Sequence, residues 1–280
     1  MTMLASLLDL GTRWWWRAVG REVDLAGQHA WLDAPMSDVA WVADGWLESH
    51  ARAIGGSTHE GSGLLGSITD LEAPGFRPAD LVPAIADFYE HTSDWRIEVW
   101  SGWSWWARLP GSLVERWFGR RVGQLAIPTD PLAVARGMDS RVTVLTDASG
   151  SRRGAGWHRT LRTTGDVVFS GFYGVRRRPG ADHPSVHVVF PLEHGNVQVF
   201  LRPEVTRDGG LVLRSTRGDF GDDGAYVVVR HGRRTWAARV PLHEVFHVHL
   251  DAEGVLRTDH ELRLGPARAV ALHYRLERHG

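Results

Sequence analysis

The chain has no cysteine and no lysine. Without cysteine there is no disulfide framework, no thiolate nucleophile and no cysteine-based metal site. Without lysine, Schiff-base and catalytic-amine chemistry drops out. All 32 basic residues are arginine, and asparagine occurs once, at Asn196. That skew fits the codon usage of a GC-rich genome. An excess of charge of either sign is also missing. The formal net charge is −1, which argues against non-specific nucleic-acid binding, because that is driven by phosphate neutralisation. No apolar run approaches the roughly 18–20 residues of a membrane span. No basic region precedes the apolar start of the chain, so no secretory signal is expected, and a cytoplasmic location is the expectation. There is no P-loop, no GxGxxG in a βαβ unit and no GxSxG elbow. No cofactor is therefore expected.

What is present is enough for a large core: 280 residues, 43% hydrophobic and 23% charged, ordinary values for a globular protein. The clearest stretch is 240–264, VPLHEVFHVHLDAEGVLRTDHELRL, which reads as a β-hairpin. Asp251 and Gly254 bracket a type I turn followed by a left-handed glycine. That turn pairs Asp251 with Val255, Leu250 with Leu256, Val248 with Thr258 and Phe246 with His260. It also sets His249 against Arg257 and His247 against Asp259. One face is then apolar (Phe246, Val248, Leu250, Leu256, Leu262, Leu264). The other is polar (His243, His247, His249, Arg257, Asp259, Glu261, Arg263). A one-residue slip would scramble both faces. Thr258 and His260 interrupt the apolar face. A buried polar pair needs partners, so it is either a satisfied core pair or the floor of a pocket.

The same pattern extends back to residue 154. Strands are expected at 155–163, 167–176, 185–192, 197–204, 210–216, 225–230, 234–240, 243–251, 255–264 and 268–277, with Gly-containing turns between them. Another is expected at 141–146. Ahead of these lie amphipathic stretches at 2–22, 37–54 and 78–91, with Ser37 as a helix cap and Pro78 at a helix start. Ser112-x-x-Glu115 is a capping box opening a further helix to about residue 120. Residues 55–66, carrying His59 and Glu60, read as a Gly/Ser-rich loop. Residues 218–224 lack the ligand spacing of an EF-hand and read as a turn-rich connection. The expected fold is α+β, mainly β. A helical, Trp-rich segment over 1–139 packs on an antiparallel β-barrel or strongly curved meander sheet over 140–280, as one cooperative unit.

Three groups of residues could carry a function. The densest aromatic cluster is Trp95, Trp100, Trp103, Trp105 and Trp106. It is either a hydrophobic seam between helices and sheet or the wall of a pocket for an apolar ligand. Trp14, Trp15 and Trp16, between Arg13 and Arg17, either pack on the domain or touch a membrane surface. His243, His247 and His249 lie on the polar hairpin face, with Asp259 opposite His247. A solvated polar face explains them, and a metal site is the sharper alternative. Inside a barrel, Trp157, Arg159, Tyr173, Tyr226 and Trp236 could converge on Thr258 and His260. A histidine among leucines stays neutral through desolvation and could serve as a general base or hydrogen-bond donor.

The phrases GQLAIPTDPLAVARGMDSRV and FHVHLDAEGVLRTDHELRL resemble segments of uncharacterised proteins from high-GC bacteria, over about the C-terminal two-thirds of the chain. That resemblance implies that Met138, Asp139, Ser140, His247, Asp259 and His260 belong to a family pattern. It assigns no activity. The barrel reading is similar to lipocalin-like folds by architecture alone. The leading expectation is binding of a hydrophobic small molecule, lipid or polyketide-like. The ligand residues would be Trp95, Trp100, Trp103, Trp157, Tyr173, Tyr226, Trp236, Thr258 and His260. An alternative is an enzyme of cyclase or isomerase type with His260 as acid/base. A second alternative is a peripheral membrane or partner-docking protein using Trp14–Trp16. No nucleic-acid partner is expected.

Overall fold

The register expected for the hairpin holds in the computed structural model, which describes residues 13–37, 45–103 and 138–279. Leu250 pairs with Leu256, Val248 with Thr258, Phe246 with His260, His247 with Asp259 and His249 with Arg257. The turn is closed by Asp251 N–H to the Val255 carbonyl (2.9 Å) and Gly254 N–H to the Asp251 carbonyl (3.0 Å). The Asp251 carboxylate accepts from the Glu253 and Val255 amides, both at 2.9 Å. Gly254 has φ 77°, which a side chain would resist.

The strands are β1 (Arg21–Val23), β2 (Ser57–Glu60), β3 (Trp95–Trp103), β4 (Met138–Thr146), β5 (Arg152–Leu161), β6 (Val167–Arg177) and β7 (Pro184–Leu192). They continue with β8 (Gly195–Val205), β9 (Leu211–Arg214), β10 (Gly224–His231), β11 (Arg234–Val240), β12 (Leu242–Leu250), β13 (Leu256–Leu264) and β14 (Ala267–Arg278). Each strand expected from the sequence is found, with ends shifted by a few residues. The sheet has fourteen strands, and its main path runs β2-β4-β5-β6-β7-β8-β9-β12-β13-β14-β3. Among the described residues no ladder joins β2 to β3, so the sheet is strongly curved but open; it is not a closed barrel. β8 is the branch point. Its first half pairs with β10 and its last four residues pair with β9. Gly195 is needed there, because a Cβ would lie 2.2 Å from the Val228 carbonyl oxygen. The positive φ of the β7–β8 turn falls instead on His194.

The inner face is one core. Val142 of β4, Trp157 of β5, Val188 of β7, Val227 of β10, Leu256 of β13, Leu276 of β14 and Ile97 of β3 belong to a single buried cluster. Strands so far apart in the sheet can share a core only because the sheet wraps round. Leu64, Leu71, Phe76, Ile85 and Phe88, from the segment before β3, complete that core. The outer face is covered twice. Residues 21–37 pack Trp31 and Leu32 on Phe200, Tyr226 and Val228. Helix α1 (Trp46–Ala53) packs Trp46 and Leu47 on Leu145, Phe172 and Val189.

Several expectations for the first third are corrected. Residues 57–60 are not loop but the edge strand β2, paired to β4. Its mostly exposed side chains carry no apolar alternation, so only the backbone ladder defines it. The single helix expected over 78–91 is a 3-10 turn at Pro78–Asp80 followed by α2 (Pro83–Glu90). Pro83 lacks the N–H that a continuous helix would use, and it restarts the helix at its first position. The Ser37 amide binds the Leu192 carbonyl at 3.0 Å, and the helix described within 37–54 is α1, which begins at Trp46 after Gly45. Of the stretch 2–22, residues 13–19 are helical and 21–23 form β1. The rest of that stretch, residues 38–44, Trp105, Trp106 and the helix expected at 112–120 lie outside the described residues.

Candidate functional site

The hairpin carries an unusual polar set into the core. His260 is 7% exposed, and neither of its ring nitrogens has a hydrogen-bond partner among the described residues. Its ring stacks on Phe246, centroids 3.8 Å apart and planes 16° apart. Burial lowers its pKa to about 3, so it is neutral. Two residues before Phe246, and on the same face, Glu244 is also buried. Its backbone is fixed by Ser215, whose hydroxyl accepts the Glu244 amide at 2.7 Å. Its carboxyl is pushed up to about 7 by burial. The Glu244 Oε2 to His260 Nε2 distance is 4.0 Å, too long for a hydrogen bond. Desolvation acts on both groups, and both favour the neutral form. Thr258 is buried and pairs across the ladder with Tyr274 of β14.

Across the core stands β5 with Trp157 and Arg159. Arg159 is 6% exposed, yet no carboxylate pairs with it among the described residues. Its guanidinium lies 5.2 Å from the Trp157 ring centroid, one terminal nitrogen is 3.5 Å from the Met138 sulfur, and Nε is without a partner among the described residues. Burial lowers its pKa, opposed by Tyr274 and Tyr173, but a guanidinium stays charged in proteins. Trp157 packs on Phe169 and Tyr173 and donates its indole N–H to the Ser140 hydroxyl at 2.8 Å. Burial raises Tyr173 well above its ordinary value, helped by Tyr89, Tyr274 and Glu244. Tyr274 is pushed up to about 12 for the same reason. Tyr173 and Tyr274 thus each lie in the field of both Arg159 and Glu244. Isolated buried charge of this kind is costly unless something neutralises it.

The residues expected to converge divide. Trp157, Tyr173, Thr258 and His260 belong to the inner face. Tyr226 does not. It lies in the outer cluster, with its hydroxyl donating to the Asp222 carbonyl at 2.6 Å and accepting from the Gly221 amide at 3.0 Å. Trp236 sits near the end of the sheet under Arg17 and Arg234, whose guanidinium carbons are 5.0 and 5.3 Å from its ring centroid. Trp95 is buried, but against α2, where Phe88 packs on it and Asp87 accepts its indole N–H at 3.1 Å. Trp100 is 49% exposed, at the position facing His273 on β14, and is no part of the interior. Trp103 pairs with Val270. Glu244 and Tyr274 complete the interior set. The signal for Glu244 was its place two residues from Phe246 in the alternating hairpin. Trp14 and Trp15 are exposed, whereas Trp16 packs on the core.

The outer face of the hairpin carries the histidine row. One ligand atom from each of His247, His249 and Asp259 lies within 4.8 Å of the others. His243 stands apart; burial lowers its pKa, with Arg217 and Arg239 adding to the effect. A separate cleft of about 390 Å³ is lined by the loop Pro74–Phe76 with His183, Arg202, Glu204, Arg214 and Thr216. It opens at the sheet surface and touches none of the interior polar set.

No family model matches the chain. No solved structure matches it. The chain is similar to the uncharacterized membrane protein YndJ of Bacillus subtilis (strain 168), with 29% identity over 220 residues that cover 76% of this chain. The chain spans 38% of that protein's length. No helix among the described residues is long and apolar enough to cross a membrane. The similarity is therefore to a protein that is itself uncharacterised.

Proposed function

We propose that the protein binds a hydrophobic small molecule with an acidic head, of lipid or polyketide-like class, on the inner face of the curved sheet. The observation that carries this reading is Arg159, a buried cation facing an interior with no carboxylate partner among the described residues. A ligand carboxylate or phosphate there would supply the missing charge. His260 and the tyrosine hydroxyls would supply further hydrogen bonds, and Trp157, Phe169 and Phe246 an apolar wall. Such a mixture, mostly apolar with a few convergent polar groups, is what small-molecule sites contain. The membrane-protein name of the Bacillus relative favours a lipid as occupant. Native mass spectrometry of the protein as purified from a bacterial host tests it. A retained organic acid, lost in Arg159→Met, is the expected result; a mass equal to the sequence value in both would sink the reading.

A second reading rests on Trp14 and Trp15, 67% and 51% exposed beside Arg13 and Arg17. Indole and guanidinium suit the headgroup layer, so this corner would deliver the ligand from a membrane surface. Liposome co-sedimentation of wild type against Trp14→Ser/Trp15→Ser decides it, equal pelleting being the negative result. An enzyme would use the same interior with neutral His260 as acid/base. His260→Gln would then abolish turnover while leaving ligand affinity nearly intact.

A further inference from the structure

The outer face of the β12–β14 ladder holds a different chemistry, independent of what the inner face binds. Cross-strand pairing sets His247, Asp259 and His273 in one row, with His249 two residues from His247 on the same face. The rings of His247 and His249 stack at 4.5 Å. We infer that His247, His249 and Asp259 ligate one divalent transition-metal ion of the zinc class, with His273 positioning Asp259.

Each ligand has an atom to offer. Asp259 Oδ1 is held by His273 Nδ1 at 2.6 Å, which leaves Oδ2. A hydrogen bond between a ligand and an outer residue of this kind fixes ligand orientation in metal sites. His249 Nδ1 lies 3.4 Å from the His247 carbonyl oxygen, so a proton on Nδ1 leaves the Nε2 lone pair for a metal. His247 Nε2 is buried and has no partner among the described residues. Residue 210 approaches it closely, and a Cβ there would stand 3.2 Å from that nitrogen.

The surroundings tolerate a cation. The two arginines that face the row, Arg257 and Arg275, are tied to Asp251 at 2.8 Å and Glu277 at 2.5 Å. Two imidazoles and one carboxylate select zinc-like ions over magnesium and calcium, which take oxygen ligands. Zinc–nitrogen bonds of about 2.0–2.1 Å put tetrahedral ligands roughly 3.5 Å apart. The cluster must therefore contract by about an ångström, which part-exposed side chains achieve by small torsional changes. Three protein ligands leave a fourth position open to solvent.

The test is calorimetric titration of Zn²⁺ into untagged, chelator-treated full-length protein, with the visible spectrum of the Co²⁺ form as a second readout. One equivalent is expected to bind at micromolar metal, and Co²⁺ to give the intense absorption of a low-coordinate site. His249→Gln and Asp259→Asn should each weaken binding by about 100-fold or more, and His273→Gln by about 10- to 100-fold. His243→Gln, on the same strand but outside the cluster, should change nothing. Circular dichroism melts should agree for all four, since none of these side chains belongs to a core cluster among the described residues. No zinc uptake by wild type would overturn the assignment. So would unchanged uptake in the His249→Gln/Asp259→Asn double variant.

Discussion

His187 and His260 are the same residue in closely similar burial on opposite faces of one sheet. Each stacks flat on a phenylalanine, His187 on Phe200 at 4.4 Å and His260 on Phe246 at 3.8 Å. Desolvation lowers each to a pKa of about 3. Their hydrogen bonding differs completely. His187 Nε2 meets Gln198 Oε1 at 2.7 Å, and the Gln198 amide donates to the Leu32 carbonyl and to Asn196 Oδ1, both at 3.0 Å. His260 has nothing on either nitrogen among the described residues. The outer network ties the covering segment 21–37 to the sheet and is complete. The inner set lacks partners, among the described residues, at both His260 nitrogens and at Arg159 Nε. Buried polar groups are almost always satisfied, so the closed His187 network marks scaffold, and the unpartnered pair is where the proposed ligand is placed.

The largest effect should come from breaking the satisfied side. Gln198→Leu strands the His187 ring nitrogen, the Asn196 carbonyl and the Leu32 carbonyl. Urea unfolding should show a loss of about 3 kcal/mol. If Gln198→Leu costs no more than His260→Leu, the two faces do not differ as described.

Next is pH. The Glu244 carboxyl rises from 4.5 to about 7 on folding, so the native state binds its proton more tightly. Its contribution is fully present below pH 4.5 and is lost as pH rises through 7, to a total of about 3 kcal/mol. His187 and His260 act oppositely, since the unfolded chain takes up protons below 6.5 and the native rings do not until about 3. Their effect is a loss on acidification across that window. The stability difference between wild type and Glu244→Gln should therefore fall steadily from pH 4.5 to 7. A flat difference would mean that Glu244 is solvated.

His260→Leu should leave stability unchanged or raise it by about 1 kcal/mol, because a desolvated, unpartnered ring gives way to an apolar one. A large loss on thermal melting would reveal a structural partner. Smallest of all, Trp15→Ser should move stability by less than about 0.5 kcal/mol, since that indole is exposed.

The hairpin was legible because turn chemistry and side-chain alternation chose the same register, and His260 and Thr258 stood out as breaks in it. Tyr226 was not legible. β7 is buried throughout and β10 over its first six residues. Ala225, Tyr226, Val227, Val228 and Val229 are therefore uniformly apolar, and no alternation tells which side faces the interior. The branch at β8 was hidden for the same reason: one continuous strand changes partner at Leu201 without a break in pattern. β2 was missed because an exposed polar edge needs only backbone pairing. Glu244 was visible by position, but a single acid at the end of an apolar stripe reads as its boundary.

The most direct test of the central claim is displacement of a fluorescent long-chain carboxylate from wild type, Arg159→Met and Trp15→Ser, with the matching alcohol as competitor. The account predicts one saturable site in wild type, weakened about tenfold or more in Arg159→Met by loss of a charge-assisted contact. Trp15→Ser should keep the site, and the alcohol should compete poorly. Equal affinity in wild type and Arg159→Met, or no saturable site in wild type, would contradict it.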